Sequence, residues 1–222
     1  MTDTTATSDQ HQRPQDQGER LLAWVRNNSR LLSIGVTAIV VLAGGIWFVR
    51  EYRIRTALAA QSALDAARVS VQAENYPLAA SDLTRLIDSY PGTAAAGEAV
   101  ILLGRVRLAQ EQPDVAAQEL RAALARGMSG EFLASAYAVL GVALENAGNP
   151  ADAATAYRQA AEAAAYEFLA AQYLADAGRA ATTSGDTSQA LELYRMILSA
   201  HPESPSAIEA GVRLGELQSV MR

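Results

Sequence analysis

The sequence predicts an all-α protein: a solenoid of helix–turn–helix repeats preceded by one membrane-spanning helix. Three observations carry this prediction. Residue columns recur every 37 positions, an uncharged run covers 31–49, and turn-forming residues punctuate the rest at regular intervals. Gly104, Gly141, Gly178 and Gly215 form one column, with Ala67 one period earlier. Ala79, Ala116, Ala153 and Ala190 form a second, Leu83, Leu120, Tyr157 and Tyr194 a third, and Leu86, Ala123, Ala160 and Ile197 a fourth. A period of this length means stacked supersecondary units that bury a continuous core between neighbours.

Residues 1–20 are dominated by Thr, Asp, Gln and Ser and have no apolar period. Such a stretch buries too little surface to offset ordering entropy and reads as a disordered polar tail. The run 31–49, LLSIGVTAIVVLAGGIWFV, carries no charge. At about 1.5 Å per residue it spans roughly 28 Å, the thickness of a bilayer's hydrocarbon. Arg26 and Arg30 flank one end and Arg50, Arg53 and Arg55 the other, with Trp47 at interface depth. A cleaved signal would have a shorter apolar region and a small-residue site close behind it. Here Arg50-Glu51-Tyr52-Arg53 follows instead, so the run is expected to be an uncleaved anchor. No Gly or Pro stands between Ile46 and Tyr76, so this helix is expected to continue into the first repeat. Arg20, Arg26 and Arg30 before it match Arg50, Arg53 and Arg55 after it in number, so the Arg counts set no orientation. A short polar N terminus before a large C-terminal domain favours an extracytoplasmic repeat domain.

The period divides 60–204 into four units, 60–93, 97–130, 134–167 and 171–204, with a closing helix at 206–221. Within the units, turns fall at Glu74-Asn75-Tyr76-Pro77, Glu111-Gln112-Pro113-Asp114, Gly148-Asn149-Pro150 and Gly185-Asp186, whose residue types end one helix and start the next. Tyr90-Pro91-Gly92, Arg126-Gly127-Met128 and His201-Pro202 mark boundaries between units. The Gly and Ala columns are expected where helices cross closely, because a mid-helix Gly costs about 1 kcal/mol relative to Ala unless packing requires it.

Leu140-Gly141, Ala153, Tyr157 and Ala160 resemble the signature of the tetratricopeptide repeat, and Gly178, Gly185, Ala190, Tyr194 and Pro202 repeat it. Typical units are 34 residues long; each unit here has three more, placed at the junctions. Ser89-Tyr90-Pro91-Gly92-Thr93 through Leu103-Gly104 is similar to repeat proteins of the bacterial cell envelope with a lengthened first helix. The order of tail, membrane helix and repeats resembles the YfgM-like family, an ancillary subunit of the SecYEG translocon, with the match running from Val25-Arg26-Asn27-Asn28 to about Ala67. The resemblance implies a scaffold of the bacterial inner membrane, its repeats extracytoplasmic, beside the translocon or envelope chaperones. The alternative is a structural or assembly subunit of another inner-membrane complex, held mainly through the membrane helix, where Gly35, Gly44 and Gly45 allow close approach.

Composition narrows the function. The net charge is −6, all 18 basic residues are Arg, and the part from Thr56 onward is more acidic still. Nucleic-acid binding needs the reverse. There is no Cys, and His11 and His201 stand alone. No metal-ligand spacing, phosphate loop or nucleophile motif is present. The sequence therefore predicts no enzyme, no cofactor and no small-molecule substrate, only protein partners. In this repeat class first helices line the inner wall. The columns Arg68, Arg105, Val142, Arg179, Glu216 and Leu64, Ile101, Ala138, Ala175, Val212 fall there. Arg68, Arg105 and Arg179, with Leu64 and Ile101, are the candidate groove for an extended peptide; the competing reading pairs these Arg with nearby carboxylates. The Lys-based carboxylate clamp of chaperone-binding members is absent, since the chain has no Lys.

Overall fold

The computed structural model describes the backbone of residues 15–220 and, within it, every side chain except those at 15–19, 21, 29, 31, 32, 35, 36, 39 and 220. Among the described residues there are ten helices and no strand: α1 Gln15–Asn27, α2 Ser29–Gln72, α3 Tyr76–Ser89, α4 Ala94–Ala109, α5 Pro113–Arg126, α6 Gly130–Asn146, α7 Pro150–Ala163, α8 Glu167–Thr183, α9 Thr187–Ala200 and α10 Pro205–Val220. The chain divides into two compact units, Met1–Ile54 and Arg55–Arg222.

In the first unit, most of the expected tail, 1–14, lies outside the described residues. Its last residues, from Gln15, are helical rather than disordered, because they open α1, whose later positions carry Leu21, Leu22, Trp24 and Val25. Among the described residues no helix is long and apolar enough to cross a membrane. Five side chains of the run 31–49 lie outside those residues.

The second unit is a stack of antiparallel helix pairs. Successive helices from α3 to α10 pack on one another, α4 also touches α6, and α8 touches α10. Alternate helices therefore form a layer of first helices (α4, α6, α8, α10) and a layer of second helices (α5, α7, α9). Each second helix is 14 residues long, while the first helices from α4 onward are 16 or 17. Side-chain caps fix several starts: Asn75 Oδ1 accepts from the Leu78 N–H at 3.3 Å, Thr93 Oγ1 from Ala96 at 3.2 Å, and Asp186 Oδ1 from Gln189 at 2.9 Å.

The small-residue columns lie where the helices cross. A Cβ at Gly104 would meet Leu120 Cδ1 at 2.9 Å; at Gly141 it would meet the Tyr157 ring at 2.6 Å, and at Gly178 the Tyr194 ring at 2.7 Å. Gly215 departs from its column: nothing stands within 4 Å, because no described helix covers that face of α10. Gly97, outside the columns, is also closely covered: a Cβ there would run into the Phe132 ring.

The turns inside the repeats share one backbone feature. Glu74, Glu111, Gly148 and Gly185, also 37 apart, all have positive φ (54°, 59°, 76° and 83°). A side chain in the left-handed region costs about 1–2 kcal/mol, which glycine avoids. Exchanging Glu111 for Gly is expected to stabilise the domain by about 0.5–1 kcal/mol after the added entropy of the unfolded chain is subtracted. A higher urea midpoint at unchanged slope is the expected reading; a lower midpoint counts against the strain.

Candidate functional site

The expected wall of first helices is held by ion pairs between neighbours. Arg68 on α2 binds Asp65 one turn back at 2.8 Å and reaches Glu98 on α4. Arg179 on α8 reaches back to Glu145 on α6 and also binds Asp176 at 3.1 Å. Glu145 accepts in addition from the buried Tyr157 hydroxyl, at 2.8 Å. One carboxylate therefore ties three helices together: its own, the second helix of its repeat, and the first helix of the next.

The electrostatics follow from this packing. Burial raises the Tyr157 phenol, and the adjoining Glu145 carboxylate raises it further. Arg179 is raised, chiefly by its hydrogen bond to Glu145. Asp176 is also raised, because loss of water outweighs the stabilising Arg179 guanidinium. These two Arg are therefore fastened within the scaffold. The i,i+3 pair Asp65–Arg68 recurs in the same columns as Asp176–Arg179, and α10 carries its reverse, Arg213–Glu216, at 3.0 Å.

Arg105 differs. It is exposed on α4, and among the described residues it forms no ion pair. Its charge acts on Tyr173 of α8, opposing the rise that burial imposes on that phenol. Val142 is exposed in the next copy of the column. The two aliphatic candidates require a correction: Leu64 is fully buried and Ile101 is 8% exposed, so both belong to the core and not to an accessible groove. Leu64 sits with Ala60, Ala67 and Leu83 in the buried cluster, and Ile101 packs into the cluster of α5 to α10. Val212, at the far end of that column, is 57% exposed.

The sequence reading did not single out two other features. A cavity of about 390 Å³ opens at the junctions beside α4, walled by Ile87, Val100, Met128 and Phe132 with Arg126 and Glu131. Tyr166 and Phe168, both exposed, stack with ring centroids 5.8 Å apart at the start of α8. Tyr166 is the extended N-cap of α8 and Phe168 stands in its first turn, a pairing that helical periodicity does not signal. Among the described residues no three His, Cys, Asp or Glu side chains are grouped to hold a metal.

Stacked helix pairs with a polar wall on one layer define a protein-interaction scaffold of the solenoid class. More narrowly, residues 48–174 match the model of the tetratricopeptide repeat-like domain, and the chain belongs to that family. Among solved structures, this chain is similar to MamA, residues 41 to end, from Desulfovibrio magneticus RS-1 (18% identity, 66% of this chain and 77% of that one, TM-score 0.50). A second MamA structure aligns at 18% identity over 72% of this chain and 86% of that one, with TM-score 0.52. A kinesin light chain with nearly identical TPR-like repeats, from Podosopora anserina, aligns at 18% identity over 72% and 90%, with TM-score 0.52. At such identities the likeness is one of fold. No curated protein sequence matches the chain.

Proposed function

We propose that this protein is a membrane-anchored adaptor of the bacterial inner membrane, which presents its repeats outside the cytoplasm to protein partners beside the export translocon. One observation carries the anchor. All ten residues from 40 to 49 on α2 are uncharged and exposed, with Val40, Val41, Leu42, Ile46, Trp47 and Phe48 each more than 60% accessible. An apolar helix surface open all round is not stable in water, and hydrocarbon is the solvent that suits it. The family membership supports partner binding through helix surfaces, and the layout of tail, apolar helix and repeats supports the translocon as neighbour.

Crosslinking in native membranes, followed by mass spectrometry, tests the whole reading. Translocon subunits are expected among the products, and the chain is expected to remain in the pellet after a carbonate wash. Release into the wash rejects the anchor, and neighbours from an unrelated complex reject the translocon. A chain lacking 31–49 separates the alternative reading: partners that are lost altogether with the apolar helix make it the main contact, as an assembly subunit requires.

Arg105 provides the test of the wall. It is exposed and makes no ion pair among the described residues, so Arg105→Glu is expected to leave the melting temperature within about a degree. The same variant should lower the yield of partner crosslinks severalfold. Undiminished crosslinking would show that partners bind elsewhere. Arg68 and Arg179 are poorer probes, because removing either also breaks a contact between neighbouring helices.

A further inference from the structure

The open face of α10 repeats a surface that the molecule elsewhere covers three times. On α4, α6 and α8 the column glycine receives Leu120, Tyr157 or Tyr194 from the second helix of the same repeat. On α10 the slot is kept as Gly215, with Gly211 one turn before, and neither has an atom within 4 Å of a built Cβ. Ile208 and Val212 alternate with them on that face, 79% and 57% exposed. The opposite face of α10 is already seated, through Ala207, Ala210, Leu214 and Leu217. Glycine is the poorest helix former after proline. Two glycines on an exposed helix face, interleaved with two exposed β-branched side chains, have no packing reason among the described residues.

The internal copies also indicate which side chain fills the slot. Four residues after each column glycine stands a residue matched to the incoming tip. On α4 it is the apolar Leu108, packed against the cluster that holds Leu120. Beside Tyr157 it is Glu145, which accepts the phenol proton. On α8, under Tyr194, it is the polar Thr182, whose hydroxyl donates to the Gly178 carbonyl at 2.8 Å. On α10 the equivalent is Ser219, exposed and polar.

We propose that the Ile208–Ser219 face of α10 docks an amphipathic helix from a partner protein, seated as α9 is seated on α8, with a tyrosine lodged over Gly215 and its hydroxyl against Ser219. A second copy of this chain is a poor occupant, because its own helices of this type already bury Leu83, Leu120, Tyr157 and Tyr194. The site is continuous with the α9–α10 contact and lies on the layer of first helices. It is independent of the membrane anchor and of the translocon.

A peptide with the α9 sequence, Thr187–Ala200, is the probe. Short helices are marginal in water, so it carries Met196→Lys closed by a lactam to Glu192; both positions are exposed on α9. Fluorescence anisotropy with the full-length chain should show saturable binding. Tyr194→Ala in the peptide should weaken it at least tenfold. Gly215→Leu in the chain should abolish it, with the circular dichroism unchanged because the slot is empty. Ser219→Ala should weaken the tyrosine peptide and not its Tyr194→Leu form. Absence of saturable binding overturns the proposal. So does binding that survives Gly215→Leu, which would mean that the peptide displaces the native α9. A full-length chain that sediments as a dimer, and as a monomer once Gly215→Leu is introduced, would make a second copy the occupant and also overturn it.

Discussion

Gly141→Ala is expected to lower the stability of the repeat domain by about 2 kcal/mol, although alanine is the better helix former. A Cβ there would lie 2.6–2.7 Å from three atoms of the Tyr157 ring. That ring is 2% exposed, and its hydroxyl is held by Glu145. It has nowhere to move without breaking the bond that ties α6, α7 and α8. Overpacking of a closed core reaches about 3 kcal/mol, and the gain in helix propensity returns about 1 kcal/mol. Gly178→Ala should behave alike, since Tyr194 stands over it at 2.7 Å. Gly215→Ala should have the opposite sign, a gain of up to about 1 kcal/mol, because only propensity is at work there. Urea denaturation of the three variants reads the order directly. If Gly141→Ala and Gly215→Ala shift the midpoint in the same direction, the ring contact is not what selects the glycine.

Leu83→Ala is expected to cost about 2–5 kcal/mol and to separate the unfolding of the repeats into two steps. Leu83 is fully buried in a cluster that runs from Ala60 to Val106. The remaining core, from Ile101 to Ala210, is a second cluster. Both draw on α4, which supplies Leu103 and Val106 to the first and Ile101 to the second. In a linear array each repeat is stabilised only by its neighbours, so damage at one end need not propagate. Amide exchange should show α3 and the start of α4 losing protection while α7 to α9 keep theirs. Uniform loss along the whole array would show that the two clusters melt as one.

The repeats were legible because close packing leaves a mark on residue size. Where two helices cross at short distance the side chain must be absent or minimal, so Gly104, Gly141 and Gly178 keep step with Leu120, Tyr157 and Tyr194. The turns were legible because Gly, Asn, Asp and Pro have backbone preferences of their own. The wall was harder to read, because periodicity treats all copies of a column as equivalent and burial does not. Leu64 and Ile101 lie inside the stack, while Val212 of the same column lies on its open end. The partners of the Arg row were also hidden. Glu98 follows Arg68 by 30 residues, whereas Glu145 precedes Arg179 by 34. Neither offset follows the period, so no column pointed to them. Arg105 alone of the three remained as the sequence presented it, an exposed cation in an acidic domain.

The strained turns also bear on kinship among the repeats. The first two units turn on Glu74 and Glu111 and carry Leu83 and Leu120; the last two turn on Gly148 and Gly185 and carry Tyr157 and Tyr194. At these two positions the units fall into two pairs, with the change between Leu120 and Tyr157, whereas Ala123 and Ala160 match across it. The two units whose turns avoid the strain are thus the two whose column glycine lies under an aromatic ring, so relief at the turn and the larger contact at the crossing occur together.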